Sequence, residues 1–493
     1  MRPELRPDTK KFLSKPAKMF IDGQWRESAG GERLDSVDPA TGEKLTDFPA
    51  AGPQDVDEAV AAARRALPAW RKMKPQTRGR LLTEAALAVE KHEDELAELI
   101  TLDNGKPLWE AKKEVATAVA HIEYFAGWAT KLHGETIPMS RPGSFVNYTI
   151  REPLGVVVGI TPPNYPLTMP IYKSAPALAT GNTVIIKPSE DTSLVQIRLA
   201  EIFQEVDMPD GVFNVVTGLG DPVGTSFANH DDVNKIAFTG STEVGRYLVR
   251  SAAGNLKKVS LELGGKSPNI VFDDADMEAA LKGVYFGIFF CQGEICSAGS
   301  RLFVQRGIYD EFVGRLSEMA RGVKMGHGLN EDTKMGPLVS QEQQKRVLDY
   351  IQVAKDERAK IAVGGGAPKD ELSKGFFVEP TIFTGVDASM RIAREEVFGP
   401  VLCALPFDDI PDAVLQGNNS NYGLASGVWT TNIKTAHRVA DELEAGTVWV
   451  NCYNAFDNAS PWGGYKESGW GREKGKHALD LYTQTKSVVV NYA

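Results

Sequence analysis

The stretch that decides the fold is GVVVGITPPNYPLTMPIYKSAPALATGNTVIIKPSE, from Gly155 to Glu190. It opens with a short apolar run, continues with a segment of helical composition, and closes with a second apolar run, TVIIKP. Two further runs, VFNVVTG and KIAFTGS, follow at intervals of about 25 residues, each with a helical segment behind it. Short apolar strands that alternate with helices are typical of a parallel sheet buried between helix layers. The stretch therefore predicts an α/β fold.

The rest of the chain extends this pattern. A second α/β series begins near SPNIVF, so we expect two α/β lobes. Before the first lobe, MFIDGQWRES predicts a short β segment, and residues 55–72 and 78–103 predict helices, the second ending at Asn104-Gly105. Residues 144–152 and 485–493 have strand composition outside the alternation and are expected to pair with each other or with another subunit.

Composition places the chain among globular proteins and argues against several classes. Its 493 residues carry a net charge of −10 without a block of Lys and Arg, so no nucleic acid partner is expected. Four cysteines are too few for a disulfide framework and indicate a reducing compartment. No apolar run approaches the roughly 20 residues of a membrane helix. The seven histidines show no metal-binding spacing, so no metal is expected.

The N-terminal residues contain no apolar core of signal-peptide length. We therefore expect a cytoplasmic protein, with a basic organelle-targeting peptide as the alternative. The first 17 or so residues mix Pro, Lys and Arg, and we expect them to form a loosely held extension.

Three segments are candidates for a nucleotide site at the carboxyl ends of strands. TGLGDPVG, with Gly220 and Gly224, is one residue too long for the dinucleotide fingerprint and is equally consistent with a plain turn. FTGSTEVG opens a helix whose exposed N–H groups favour an anion, although ordinary capping explains it too. In IIKPSE, the carboxylate of Glu190 suits a ribose diol and repels a 2′-phosphate, which favours NAD, while Lys187 and Ser189 keep NADP possible.

The segment FFCQGEICSAGSR contains Cys291 and Cys296, five residues apart. This is the wrong spacing for a CxxC redox or zinc motif. A lone cysteine is usually a buried, inert residue. The spacing by itself leaves open whether either thiol reacts.

Several long motifs occur in one order along the chain: LELGGKSPN, a Cys followed by SAGSR, EEVFGPV and PWGGYKESGWGRE. Together they resemble the NAD(P)-dependent aldehyde dehydrogenase superfamily, broad-range and non-acylating type, from about residue 19 to the end. The resemblance implies a dinucleotide-binding domain (1–130 and 153–263), a catalytic domain (264–480) and a bridging β element (131–152 and 481–493). It also implies a homo-oligomer, either a dimer or a homotetramer built through that element.

The resemblance implies roles for five catalytic residues. Cys296 matches the nucleophile that forms a hemithioacetal and then a thioester. Glu262, read as a mid-strand carboxylate, matches the general base. Asn164 matches the side-chain oxyanion donor, with the backbone N–H of Cys296 as the second donor. Lys173 and Glu473 match a proton relay, or they form a structural ion pair.

The same resemblance implies the cofactor and substrate residues. Glu396 and Phe398 match contacts to the nicotinamide side, Lys187 and Glu190 contacts to the adenine ribose, and Ser241 a pyrophosphate contact. The full expected cofactor set comprises Ile160, Thr161, Pro162, Lys187, Ser189, Glu190, Gly220, Gly224, Phe238, Thr239, Gly240, Ser241, Gly245, Leu263, Gly264, Glu396 and Phe398. The aldehyde funnel is expected to be lined by Tyr165, Met169, Tyr172, Ile295, Ser297 and Phe456. This lining is apolar and aromatic without an obvious cation, so we expect medium-chain aliphatic or aromatic aldehydes.

Three positions depart from the family pattern: Cys291 where Asn is common, Glu294 where Gln is usual, and Pro163 where Trp is usual. We expect Cys291 to be structural and Cys403 and Cys452 to lie in the core. Alternative functions are a semialdehyde-specific or CoA-acylating member of the family and a non-catalytic NAD-binding protein. Cleavage of activated esters is a further alternative, as a side activity of the same site.

Overall fold

The computed structural model describes residues 3–493. Its helices, in chain order, are α1 (Pro7–Leu13), α2 (Pro53–Lys72), α3 (Pro75–Lys91), α4 (Glu93–Asn104), α5 (Leu108–Ala126), α6 (Thr168–Thr180), α7 (Leu194–Glu205), α8 (Thr225–Asn229), α9 (Thr242–Ala252), α10 (Met277–Phe289), α11 (Tyr309–Arg321), α12 (Gln341–Asp356), α13 (Arg391–Arg394), α14 (Ile410–Asn418) and α15 (Ile433–Glu442).

The strands, numbered in the same way, are β1 (Met19–Ile21), β2 (Gln24–Arg26), β3 (Arg33–Asp38), β4 (Glu43–Pro49), β5 (Phe145–Pro153), β6 (Val156–Ile160), β7 (Thr183–Lys187), β8 (Phe213–Val215), β9 (Lys235–Thr239), β10 (Lys258–Glu262), β11 (Pro268–Val271), β12 (Arg301–Gln305), β13 (Lys360–Val363), β14 (Thr381–Thr384), β15 (Val401–Phe407), β16 (Tyr422–Gly423), β17 (Ala425–Trp429), β18 (Thr447–Val450), β19 (Tyr465–Lys466), β20 (Gly469–Trp470) and β21 (Thr483–Asn491).

The first lobe is an eight-stranded sheet with the order β2-β1-β8-β7-β6-β9-β10-β20. Its five central strands, β8, β7, β6, β9 and β10, run parallel. Successive residues of β6 enter opposite cores: Val157 packs into a cluster with α3, α5 and α7, and Val156 and Val158 pack into one with α2. The sheet is therefore apolar on both faces, as the continuous run GVVVGI predicts.

The second lobe is a seven-stranded sheet with the order β13-β14-β15-β12-β11-β17-β18. All neighbouring pairs are parallel except β13 with β14. It too has a core on each face, since Leu302 and Val304 enter one cluster and Phe303 enters the other. The prediction of two α/β lobes is confirmed.

The two outlying strands pair with each other. β5 and β21 are antiparallel over nine residue pairs, from Phe145 opposite Asn491 to Pro153 opposite Thr483. The ribbon exposes Val146, Tyr148 and Val490 among other apolar side chains. A two-stranded ribbon with an uncovered apolar face is marginal by itself.

Two predictions about the N-terminal region were wrong. The segment 78–103 forms two helices and not one, because the helix is interrupted at His92. The His92 ring contacts Glu95 and Glu205, and α4 begins after it with three acidic residues, which suit a helix N-terminus. From residue 3 onward the N-terminal extension is not loosely held, since residues 7–13 form α1 and the backbone N–H of Arg6 donates to Glu98, while residues 1 and 2 lie outside the described residues. Residues 33–49, for which no element was predicted, form the β3–β4 hairpin.

No helix within residues 3–493 is both long enough and apolar enough to cross a membrane. The same residues contain no cluster of His, Cys, Asp and Glu arranged to hold a metal ion.

Candidate active site

The candidate residues meet where the parallel strands of the first lobe end. Ile160 ends β6 opposite Phe238 of β9, and Thr239 ends β9 opposite Glu262 of β10. From Glu262 the chain crosses directly to β11 in the second lobe. The carboxyl edge of the first sheet therefore faces the second lobe, the usual position for a ligand in an open α/β sheet.

Cys296 is placed by a tight turn after α10. Cys291, Gln292 and Gly293 all have positive φ values, of 50°, 54° and 74°, so the chain reverses within three buried residues. A Cβ at Gly293 would collide with the Gly399 carbonyl, which makes glycine necessary at the end of this turn. The turn delivers Cys296 to the site with its side chain partly buried.

Burial raises the pKa of the Cys296 thiol, and the nearby carboxyl groups of Glu262 and Glu396 raise it further. The backbone N–H groups of Ser297 and of Cys296 itself lower this pKa, so both donors are directed at the sulfur. The resting side chain is therefore a thiol that needs a base, and donors already surround the place where negative charge develops.

Glu262 has the environment of a general base. It is only 3% exposed, and neither of its carboxyl oxygens has a hydrogen-bond partner among the described residues. Burial raises its pKa well above the usual value, and Glu473 raises it further, while Lys173 and Arg472 oppose this. The expectation of a mid-strand position was wrong: Glu262 is the last residue of β10, where a side chain can point out of the sheet edge.

Lys173 and Glu473 form a buried ion pair. The Lys173 ammonium also donates to Thr239 Oγ1 at 2.5 Å, which ties the pair to the end of β9 beside Glu262. This arrangement agrees with both alternatives for Lys173 and Glu473. They form an ion pair, and the pair lies next to the base, the position that a proton relay needs.

Asn164 is held from both sides. Its Nδ2 donates to the Glu294 carbonyl, 2.7 Å away and two residues before Cys296, which leaves the second N–H of the amide free for a ligand. Its backbone carbonyl accepts from Lys106 Nζ at 2.6 Å, and Lys106 also pairs with Glu114 at 2.6 Å. Glu114 in turn accepts from the backbone N–H of Leu167 at 2.9 Å, just before α6.

Sequence reasoning missed Lys106 and Glu114. Both are almost completely buried, and together they connect the Asn164 backbone to the start of α6. The altered residue Pro163 is anchored as well, because its carbonyl accepts from Asn104 Nδ2 at 3.0 Å and Thr192 Oγ1 at 3.3 Å. The only feature in the sequence was the position of Lys106 directly after the C-cap of α4, and this position does not distinguish it from other lysines.

The adenine-ribose candidates form an anchored group. One Glu190 oxygen accepts from Lys187 Nζ at 3.2 Å and the other from the Gly220 backbone N–H at 3.3 Å. The side chain of Lys187 is buried, whereas that of Glu190 is 38% exposed and can still accept from hydroxyl groups. Ser189 caps the short turn that follows β7, by accepting from the Asp191 N–H at 3.4 Å. At Gly224 an added Cβ would meet nothing, so no close approach requires glycine at that position.

The segment FTGSTEVG, the candidate anion site, is confirmed as the start of a helix with an N-cap residue. Ser241 is the N-cap of α9, and its Oγ accepts from the Val244 N–H at 3.3 Å. Gly245 in the first turn is required by packing, because a Cβ there would lie 2.7 Å from a Leu263 methyl carbon. The Gly240 N–H donates to the Glu262 carbonyl at 3.1 Å, which connects this helix start to the catalytic strand.

The nicotinamide candidates sit across the cleft. Glu396 Oε1 accepts from the Gly265 N–H at 2.8 Å, and burial raises the Glu396 pKa to about 7. A Cβ at Gly264 would collide with the Glu396 carboxyl group, so only glycine permits this approach. Phe398 has a φ of 60°, and its carbonyl accepts from Gln343 Nε2 at 2.6 Å.

These groups fit NAD. They supply a carboxylate for a ribose diol, the Ser241-capped N-terminus of an 11-residue helix for the pyrophosphate, and a second carboxylate for the other ribose. Of the remaining expected contacts, Ile160, Thr161 and Pro162 occupy the end of β6, where the Thr161 N–H donates to the Lys187 carbonyl at 3.1 Å.

The expected funnel residues, three of which are aromatic, differ in exposure. Phe456 is 45% exposed and packs edge-on against Trp449 and Trp462, while Tyr172 is buried against His121 with ring centres 4.2 Å apart. Tyr165, Met169 and Ile295 lie on the flanks of Asn164 and Cys296. Ser297 is fully buried and donates to Asn454 Oδ1 at 2.9 Å, so its hydroxyl is a structural contact in this arrangement.

Two expectations at this site were wrong. The funnel region does contain a cation, Lys474, whose Nζ lies 5.5 Å from the Tyr172 ring centre and 5.1 Å from that of Phe456. Cys452 is not a core residue but partly exposed, whereas Cys291 and Cys403 are buried as expected. Cys291 is completely buried, and its Sγ lies 3.8 Å from the backbone carbonyl oxygen of Asn164, in agreement with a structural role.

Comparison with known proteins gives one consistent result. Residues 25–488 match the model of the aldehyde dehydrogenase family. The chain is 50% identical over 483 residues to DhaS of Bacillus subtilis, covering 97% of each protein. It is 45% identical to human mitochondrial aldehyde dehydrogenase, covering 96% of this chain and 91% of that one. The NAD+ complex of an aldehyde dehydrogenase from Bacillus cereus superimposes with a TM-score of 0.98 at 47% identity and covers 100% of both chains.

Proposed function

This chain belongs to the aldehyde dehydrogenase family and oxidises aldehydes to carboxylic acids with NAD, and we propose that Cys296, Glu262 and Asn164 carry out the chemistry. The observation that carries the assignment is the buried carboxyl group of Glu262, unpartnered and close enough to Cys296 to raise its pKa. A strained or unsatisfied buried group of this kind is typical of a functional site.

In the first step the Cys296 thiol loses its proton to Glu262 and the sulfur attacks the aldehyde carbon. Because the carboxyl pKa is raised by burial, its anionic form is a stronger base than an exposed carboxylate. The C=O electrons move to oxygen, and the oxyanion accepts hydrogen bonds from the free N–H of Asn164 and the backbone N–H of Cys296. The product is a hemithioacetal on Cys296.

NAD, when bound, supplies the hydride acceptor for this intermediate. When it is bound, Glu190 and Lys187 would hold one ribose and Glu396 would hold the other. As the oxyanion electrons re-form the C=O bond and the hydride leaves, the carbon stays attached to Cys296 as a thioester. Asn164 holds the carbonyl oxygen throughout this step.

Before hydrolysis, Glu262 passes the Cys296 proton to the ion pair of Lys173 and Glu473 and becomes anionic again. In the last step Glu262 takes a proton from the water that attacks the thioester, and it gives this proton to the leaving sulfur, so the carboxylic acid and the thiol are released. The balance is one aldehyde, one NAD+ and one water converted into one acid, one NADH and one proton, with a second proton released on ionisation of the acid.

The alternative of a CoA-acylating enzyme receives less support. That reaction needs no base for water, whereas this chain keeps Glu262 with both oxygens free for a ligand. A non-catalytic NAD-binding protein is disfavoured because Cys296, Glu262 and Asn164 are all present.

We also propose the division into a cofactor-binding domain (1–130 and 153–263), a catalytic domain (264–480) and an oligomerisation element (131–152 and 481–493). The β5–β21 ribbon supports it, because its exposed apolar side chains would be covered by a second subunit in a dimer or homotetramer. A cytoplasmic location is supported by four cysteines that are all free.

NADH formation over a panel of aldehydes, with NAD and NADP in parallel, tests the assignment. We expect wild type to reduce NAD and Cys296→Ala to lose turnover. Cys452→Ala is the matched control, because that thiol is also partly exposed but lies outside the proposed chemistry. Full activity in Cys296→Ala would overturn the nucleophile assignment.

A further inference from the structure

Two buried lysines around the site, Lys266 and Lys474, make no hydrogen bond or ion pair through their ammonium groups within residues 3–493, and Lys474 is the one that faces the expected aldehyde funnel. It is only 2% exposed, and its ammonium group makes no hydrogen bond or ion pair with any other residue in 3–493. By contrast, Lys106 pairs with Glu114, Lys173 with Glu473 and Lys187 with Glu190. A buried cation without an anionic partner is costly, and it indicates that a ligand supplies the partner.

The side chain is placed by its neighbours in sequence and space. Glu473 turns to Lys173, and the next residue, Lys474, turns to the aromatic side of the funnel. There its Nζ lies over two rings, 5.1 Å from the centre of Phe456 and 5.5 Å from that of Tyr172. Ring faces stabilise a cation but leave its donors unsatisfied.

Other charged groups near Lys474 interact with it only weakly. Burial lowers the Lys474 pKa to about 8, and Asp457 counteracts this from a distance at which no ion pair forms. One Asp457 oxygen accepts instead from the Ala459 N–H at 2.7 Å. His121, stacked on Tyr172, is neutral, because burial lowers its pKa to about 3. At neutral pH the aromatic wall therefore presents a single positive charge.

We propose that Lys474 is a specificity-determining residue that favours aldehydes carrying a carboxylate at the end remote from the carbonyl. This deepens the proposed function, on which it rests. The aldehyde carbon is at Cys296, the aliphatic part of the substrate lies along Tyr172 and Phe456, and the remote carboxylate accepts hydrogen bonds from the ammonium group. A charged hydrogen bond of this kind separates an anionic substrate from a neutral one of the same shape. The same charge disfavours aldehydes with a quaternary ammonium group.

The experiment compares 4-oxobutanoate with its neutral methyl ester and with butanal. In wild type we expect kcat/KM for 4-oxobutanoate to exceed that for the methyl ester by about tenfold or more, the effect of one charged hydrogen bond. In Lys474→Met this preference should fall to within about twofold, and because it is a ratio of two substrates on one enzyme, a general loss of activity does not affect it. Lys474→Arg, which keeps the charge, should retain most of the preference.

Each outcome bears on one claim. An unchanged ratio of 4-oxobutanoate to methyl ester in Lys474→Met would overturn the role of this lysine. So would a wild type that shows no preference, a result that requires no variant to fold. Oxidation of trimethylammonioacetaldehyde should improve in Lys474→Met if the charge is what repels it. If wild type oxidises none of these aldehydes, the proposed function fails instead, and butanal oxidation that is lost in Cys296→Ala shows that it stands.

Discussion

Replacing Glu262 by glutamine separates the two halves of the reaction. Glutamine has nearly the same shape and keeps one oxygen, but it cannot take a proton from water. Both carboxyl oxygens of Glu262 are buried without a hydrogen-bond partner, so the substitution breaks no hydrogen bond within residues 3–493. We therefore expect the folded structure to be preserved, with a change in the midpoint of thermal unfolding of no more than a few degrees.

The expected loss of kcat follows from the role of Glu262 as a general base. A positioned general base typically contributes about 10²–10⁴-fold to a rate, which corresponds to about 3–5 kcal/mol of transition-state stabilisation. Hydrolysis of the thioester depends on this base, because water must lose a proton. We therefore expect the steady-state kcat of Glu262→Gln to fall by at least about a hundredfold.

The assay is rapid-mixing measurement of NADH absorbance with butanal. Cys296 and its donors are intact in Glu262→Gln, so any thiolate present can still form the thioester. The trace should show a burst that approaches one NADH per active site, slower than in wild type, followed by very slow turnover. Glu95→Gln is the matched control, because Glu95 forms a buried ion pair with Arg198 remote from the active-site residues.

Two results would refute this reasoning. A steady-state rate within threefold of wild type would mean that Glu262 is not the base that activates water. Loss of the burst together with normal NAD binding would mean that acylation of Cys296 also stops without Glu262, against the expected separation of the two halves of the reaction. The pH dependence gives a further check, since the raised pKa of Glu262 predicts that wild-type turnover increases with pH up to that value.

Three further predictions concern residues around the centre. Lys106→Met should lower kcat about tenfold or more without changing NAD affinity, because Lys106 acts by holding Asn164. In an Asn164→Ala background the same substitution should therefore lower kcat little further, and additive effects of the two substitutions would contradict this role. Glu190→Ser should raise the ratio of kcat/KM with NADP to that with NAD about tenfold, since a carboxylate that repels the 2′-phosphate is removed; an unchanged ratio would exclude Glu190 as the determinant. Burial raises the pKa of Glu294 to about 8, so between about pH 4.5 and pH 8 this carboxyl group is protonated in the folded state and ionised in the unfolded chain. The free energy of unfolding therefore falls as the pH rises from about 4.5 to about 8, by at most about 1.4 kcal/mol per pH unit. Glu294→Gln should flatten this part of the curve of unfolding midpoint against pH, and an equally steep fall in the variant would be the contrary result.

Local sequence patterns were sufficient to predict the architecture. Continuous apolar runs such as GVVVGI are required by strands buried on both faces, and the structure shows Val157 and Val158 in opposite cores. The end of α4 was also predictable, because Gly105 adopts a φ of 96° that a helix C-cap favours. The break at His92 was not, since the periodicity of α3 and α4 is nearly continuous across it and the ring contacts to Glu95 and Glu205 are tertiary.

The site could be predicted only in part, for a physical reason. Motifs identify residues that react or contact the cofactor, but not those that act through packing of distant segments. Lys106 reaches Asn164 across 58 positions in sequence, and Lys474 faces Tyr172 while its neighbour Glu473 pairs with Lys173. Neither contact leaves a periodic pattern or a recognisable spacing.

The most direct test of the central claim is peptide mass mapping of Glu262→Gln after reaction with butanal and NAD. The account predicts a butanoyl group on Cys296, formed in step with the NADH burst, because the thioester cannot be hydrolysed efficiently without the base. A butanoyl group on Cys291 or Cys452, or a full NADH burst with no acylated cysteine, would contradict covalent catalysis by Cys296.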